Sequence, residues 1–159
     1  MRIHNVHERT LAIDADAAWA LVDSLGTPDD RLWQNQRWPA MRRQDDIGQH
    51  AFVKYRVVGR EAGRSLRFRF RDMPGFNGEH AFEIQPAGPG ASVLRHTMTA
   101  DATGPIELGW RLYIRRLHDA LLEDLLDAAE GRPQRRHGLL VRVARRTGAS
   151  LRRVPYRRR

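Results

Sequence analysis

Residues 104–132, GPIELGWRLYIRRLHDALLEDLLDAAEGR, are the one long stretch of this chain with an unbroken helical period. Trp110, Ile114, Leu117, Leu121, Leu125 and Ala128 recur at three- and four-residue steps. Tyr113, Leu122, Leu126 and Ala129 widen the stripe. A stripe of that width exceeds what a two-helix contact needs. It suits one long helix lying across the concave face of a sheet. Gly104-Pro105 sets its start, because proline is tolerated in a first helical turn. Gly131 and Pro133 close it.

Upstream, the period changes. Residues 3–13, IHNVHERTLAI, read as a strand with imperfect alternation. Asp14 or Asp16 can cap a short helix from Ala15 to Leu25, which Gly26-Thr27-Pro28 breaks. Pro28, Asp29 and Asp30 then suit the first turn of a second short helix ending near Trp33, since acids there favour the helix dipole. Residues 34–49 hold little period, with a loop or short edge strand from Trp38-Pro39. Strands follow at AFVKYRVVG (51–59), SLRFRFR (65–71), EHAFEIQ (79–85) and SVLRHTMTA (92–100), joined by glycine-rich turns. In SLRFRFR, Leu66, Phe68 and Phe70 share one face and three arginines the other. The expected architecture is α+β: an antiparallel sheet with its helices on one face.

The bulk composition fits one domain with a tail. The chain has 159 residues, 41% of them apolar, which is enough for a single core. It has no cysteine, so thiolate chemistry and cysteine-built zinc sites are excluded. No apolar run is long enough to span a membrane, and MRIHNVHERTLAID lacks an apolar signal core, so a cytoplasmic location is expected. The net charge of +9 is unevenly placed: residues 132–159 hold eleven arginines and no acid, leaving residues 1–131 slightly acidic. Residues 1–131 are therefore expected to form the domain and residues 132–159 a basic extension.

The order of elements resembles the START / birch-pollen-allergen-like (SRPBCC) superfamily, which includes polyketide cyclases and lipid carriers. The phrases that carry the likeness are VHERTLAIDADAAWALV, RWPAM, LRFRF followed by MPGFNGEHAFEI, and WRLYIRRLHDALLEDLLD, across residues 3–131. The resemblance implies the helix-grip fold: a curved antiparallel sheet wrapped around a long C-terminal helix, with two short helices after the first strand. It also implies a deep apolar pocket between sheet and helix. It leaves open whether the pocket binds, carries or converts its ligand.

Several residues can line such a site. Tyr55 shares a strand face with Val53 and Val57, His80 with Phe82 and Ile84, and His96 with Leu94 and Met98. A polar group among apolar neighbours must find a partner or bind something. Tyr55, His80 and His96 could fix an oxygen on a mostly apolar ligand, and a neutral histidine could move a proton near pH 7. Each also suits a satisfied core position. Phe68, Phe70, Phe82, Met98, Trp110 and Ile114 complete the expected wall, with aromatic rings stacking on a planar ligand. His118-Asp119 reads as a helix-flank pair bonded to a loop. No metal site is expected, because HExxH is missing and no two histidines stand one turn apart within a predicted helix. No cofactor is expected either; the lack of GxSxG and of either glycine-rich phosphate signature cuts against hydrolase, kinase and dehydrogenase readings.

The leading functional expectation is thus a module that binds a small hydrophobic or aromatic, lipid- or polyketide-like molecule. The alternative is a cyclase or aromatase using His80, His96 or Tyr55 as acid and base. A third possibility is a filled core in which only the tail matters. The tail reads first as a solvated extension. Its candidate partner is an anionic membrane surface, which would make the protein peripheral. Nucleic acid fits less well, for lack of interleaved aromatics. Oligomeric state is not legible.

Overall fold

A computed structural model describes residues 1–27, 29–32, 43–50, 53–133, 137–138 and 141–142. Six strands form one sheet: β1 (Arg2–Leu11), β2 (Ile47–His50), β3 (Val53–Glu61), β4 (Ser65–Arg71), β5 (Phe76–Pro86) and β6 (Ser92–Ala102). Their spatial order is β1-β6-β5-β4-β3-β2, and every neighbouring pair is antiparallel. The first strand therefore lies beside the last, at one edge. Helix α1 (Ala15–Asp23) packs on β5 and β6, and α3 (Arg115–Ala129) on β1.

The strands form where alternation demanded them. On β4, Leu66 and Phe68 are buried while Arg67 and Arg69 face water. On β5 and β6 the buried positions include His80, Phe82 and Ile84, and Leu94, His96 and Met98. Gly78 lets β5 lie close against β6, since a Cβ there would stand 2.3 Å from the Thr99 carbonyl oxygen and 2.5 Å from Ala100. The side chains of Leu66, Phe68, Phe82 and Leu94 join Ala18 and Val22 of α1 and Leu125 and Leu126 of α3 in one apolar cluster. A second cluster gathers Ile3, Phe76, Met98, Ala100, Ala102 and Trp110.

Asp14 caps α1 as expected, its carboxylate accepting from the Ala17 N–H at 2.7 Å. A second short helix does not follow within the described residues. Asp29–Leu32 run as a turn and a bend, with the Asp30 carboxylate accepting from the Gly26 and Leu32 N–H groups. An aspartate that bonds backbone on both sides of itself favours a turn over a helix. Pro28, Trp33 and the RWPAM segment lie outside the described residues. Strand β2, by contrast, falls in the stretch where no regular period was visible.

The long helix is present but divided. Helix α2 (Gly104–Gly109) runs into a π turn (Trp110–Ile114), which runs into α3. The Arg115 N–H reaches back five residues to the Trp110 carbonyl. This extra residue advances the inward face. The inner side now steps Trp110, His118, Leu122 and Leu126, while Leu117 and Leu121 are half-buried and Tyr113 is turned out. The helix ends in a Schellman arrangement at Gly131 (φ 69°): the Gly131 N–H bonds the Ala128 carbonyl and the Arg132 N–H the Asp127 carbonyl.

Most of the basic extension lies outside the described residues. Of its described part, His137 bonds Asp124 at 2.7 Å and Val141 is buried, so the chain just beyond Gly131 turns back onto the domain. No helix among the described residues is long and apolar enough to cross a membrane.

Candidate functional site

The sheet register brings the candidate residues into two adjoining rows. One row runs Asn5, Met98, His80, Phe68, Val57 across β1, β6, β5, β4 and β3. The next runs His7, His96, Phe82, Leu66. Period-2 alternation points every one of these side chains to the helix-bearing face.

At the centre, the His80 Nδ1 and His96 Nε2 atoms are 3.2 Å apart, so one ring donates to the other. Both histidines are buried. Phe68 and Phe70 lie nearly parallel to the His80 ring at 4.8 and 5.2 Å, and Tyr55 meets it edge-on at 4.9 Å. Phe82 closes on His96 at 4.8 Å. Phe70, Phe76 and Trp110 continue the wall towards the π turn. Ile114 and Met98 belong to the same second cluster as Trp110. Seven of the nine predicted lining residues thus lie on the helix-bearing face of the sheet and two, Trp110 and Ile114, in the π turn, and the six on β3, β4, β5 and β6 that carry rings form one contiguous patch.

The electrostatics disfavour charge on His96 and on Tyr55. Burial, reinforced by the neighbouring His80, His118 and His7, holds the His96 pKa well below its ordinary value. Burial pushes the Tyr55 phenol well up. The His96 Nδ1 atom is buried and has no hydrogen-bond partner among the described residues. A neutral imidazole with one ring nitrogen bonded and the other unpaired can accept from, or donate to, an oxygen brought to it.

The sequence reading missed the other half of the constellation. Among the described residues His118 bonds to no loop. It turns inward, with ring centroids 5.6 Å from His96 and 5.7 Å from Trp110, because the π turn rotates it onto the inner face. Asp119 faces β1. Its Oδ1 accepts from Asn5 Nδ2 at 2.9 Å and stands 3.1 Å from His7 Nε2. His7 Nδ1 lies 2.9 Å from Glu123 Oε1. Arg9 then bridges Glu123, Asp127 and Glu130. Asn5, His7 and Arg9 alternate along β1 and match Asp119, Glu123, Asp127 and Glu130 along α3. Burial alone would raise the Asp119 pKa; His118, Asn5 and His7 outweigh it and bring it down to about 2. The missed signal was the alternation of β1 itself: Asn5, His7 and Arg9 share the face of Ile3 and Leu11.

Among the described residues there is also a polar depression of about 260 Å³, bordered by Glu61, Arg64, Ser65, Glu83, Ile84 and Gln85 at the far end of β4 and β5. It holds none of the candidate residues.

Comparison with known proteins agrees with this fold. The sequence pattern described as "Polyketide cyclase / dehydrase and lipid transport" matches residues 2–130. No curated protein sequence matches the chain. Among solved structures, the fold is similar to a truncated norcoclaurine synthase from Thalictrum flavum, with TM-score 0.65 and 12% identity over 82% of this chain and 92% of the other. The same enzyme in complex with dopamine and hydroxybenzaldehyde gives TM-score 0.63 and 12% identity over 82% and 86%. A START superfamily protein from Mycobacterium smegmatis gives TM-score 0.57 and 14% identity over 80% and 94%.

Proposed function

The chain belongs to the polyketide cyclase/dehydrase and lipid-transport family, and on that footing we propose that it binds a small, mostly apolar molecule bearing at least one oxygen, between the sheet and the C-terminal helix. The observation that carries this is the His96 Nδ1 atom, buried and without a hydrogen-bond partner among the described residues, beside a wall of aromatic rings. Aromatic faces supply non-directional affinity, and one unpaired ring nitrogen supplies orientation. The fold likeness to an enzyme crystallised with two small oxygenated aromatics is in keeping with this ligand class. A phenol or a fatty acid is a suitable first probe.

The test is native mass spectrometry of the purified full chain, then thermal shift with a panel of phenols and fatty acids. A stoichiometric adduct that contains oxygen supports binding. His96→Phe keeps the ring and removes the nitrogens. It should weaken the oxygenated ligand about 2- to 10-fold, the worth of one neutral hydrogen bond, and leave an oxygen-free hydrocarbon analogue unaffected. A ligand that binds wild type and His96→Phe equally would remove the anchor role.

A second reading, turnover, is favoured by one contact. The 3.2 Å His80–His96 pair gives a proton on His96 a second ring to pass to. In that case His96→Gln lowers kcat on a poly-β-keto substrate and leaves KM near its wild-type value. A raised KM with kcat unchanged would speak for binding alone.

A further inference from the structure

We propose that His7, His118 and Asp119 form a binding site for a divalent transition-metal ion of the zinc type, where β1 meets α3. One ligand atom from each of the three residues lies within 4.8 Å of the others. His7 Nε2 and His118 Nδ1 stand 3.1 and 3.8 Å from the same Asp119 oxygen. Donors of a tetrahedral site with bonds near 2.0–2.1 Å are about 3.3 Å apart, so both separations need only small side-chain rotations to close on an ion.

Two atoms in this cluster are placed as ligands of a cation would be. His118 Nδ1 is buried and has no hydrogen-bond partner among the described residues. His7 presents one ring nitrogen to Glu123 and the other to Asp119, two acceptors. A neutral ring that donates to Glu123 would aim a lone pair at the Asp119 carboxylate. A proton on Nε2 relieves that, and so does a metal ion between Nε2 and Oδ1; with the metal, Glu123 becomes the carboxylate that orients a metal-ligating histidine from behind. Asn5 holds Asp119 in the same way at 2.9 Å. The three side chains keep 12%, 22% and 32% of their surface exposed, which leaves an entry path.

Two imidazoles and one carboxylate suit Zn²⁺, Co²⁺ or Ni²⁺, whereas Mg²⁺ and Ca²⁺ favour all-oxygen sets. No spacing in the sequence could show the site, because its ligands come from the first strand and the last helix. It involves none of the residues assigned to ligand binding, so its failure would leave the proposed function standing.

The test uses the full, untagged chain after chelator treatment. Co²⁺ is titrated while its visible d–d bands are followed, and Zn²⁺ by calorimetry. One ion per chain is expected, unaffected by excess Mg²⁺. His118→Gln and Asp119→Asn should each weaken it at least about tenfold, and His137→Gln should not. Unchanged affinity in the first two variants, or no d–d bands at millimolar Co²⁺, overturns the proposal. Wild-type protein gives an answer independent of any variant's folding: Zn²⁺ must shift the ring-nitrogen resonances of His7 and His118. A shift confined to His4 or His137 overturns it equally.

Discussion

Two regions share the concave face of this sheet and obey different physics. Over β4, β5 and β6 the contact with α1 and α3 is apolar: Leu66, Phe68, Phe82 and Leu94 meet Leu125 and Leu126. Over β1 it is ionic: Asn5, His7 and Arg9 meet Asp119, Glu123, Asp127 and Glu130. The four histidines 7, 80, 96 and 118 stand where the two meet. An apolar contact loses stability in proportion to the volume removed. A partly buried ionic contact fails when either sign is left alone, since the surviving charge keeps its desolvation cost without its partner. The helix is therefore gripped by packing on one side and by charge matching on the other, and the proposed binding face lies on the packed side.

The sharpest test of that contrast is Arg9→Met. The substitution keeps the stem and takes one cationic partner from Asp127, whose side chain is only 3% exposed, and one from Glu130. It should cost about 3–5 kcal/mol, read as a drop of about 2–4 °C in Tm per kcal/mol for a chain of this size. A cost below about 1 kcal/mol would mean that the seam is effectively solvated. Leu125→Ala, in the fully buried apolar half, should cost about 2–5 kcal/mol through lost burial and the space left behind. Adding Arg9→Met to Leu125→Ala should give roughly additive losses if the two halves are independent.

Acid should separate the two regions in sequence. His96 and His118 have lowered values in the fold, burial being the main cause for each. His80, His118 and His7 face His96, and Asp119 and His7 face His118. Below about pH 6.5 the unfolded chain takes up protons that the fold refuses, so stability falls as pH drops from there. Asp119 acts later. Its folded value of about 2 lies below its ordinary 3.8, so its contribution holds above about pH 4 and is lost between there and pH 2. Urea midpoints at pH 7.5, 5.5 and 3 should fall in two stages, and His96→Phe should shrink the first stage only. Equal midpoints at pH 7.5 and 5.5 would mean that the histidines protonate freely.

How far the sequence showed all this follows the same division. Period-2 alternation in SLRFRFR and EHAFEIQ, and the glycine and proline at the helix ends, are local signals, and they located β4, β5 and the apolar wall. Residues 104–132 showed a helix but not its π turn, because one inserted residue changes the facing of the side chains without breaking their apolar rhythm. That shift hid His118. The seam was illegible for another reason. Asn5, His7 and Arg9 on an inward face contradict the apolar rule for buried strand positions, and their compensating acids lie more than a hundred residues away. Charge on a helix flank usually means a solvated face; here it means a partner strand.

The smallest expected effect completes the comparison. On the outer face of the sheet, Arg69 and Glu79 pair across β4 and β5, with Arg69 Nε 2.9 Å from Glu79 Oε1. The geometry is as good as that of the Arg9–Asp127 contact at the same distance. The surroundings differ: the Arg69 side chain is 59% exposed and that of Arg9 18%. Arg69→Ala should therefore cost only about 0.2–1 kcal/mol, and the loss should shrink further in high salt, while that of Arg9→Met should persist. Equal costs for the two substitutions would show that hydrogen-bond geometry, not removal from water, decides what an ion pair contributes in this fold, and the distinction between the seam and the rest of the surface would fall with it.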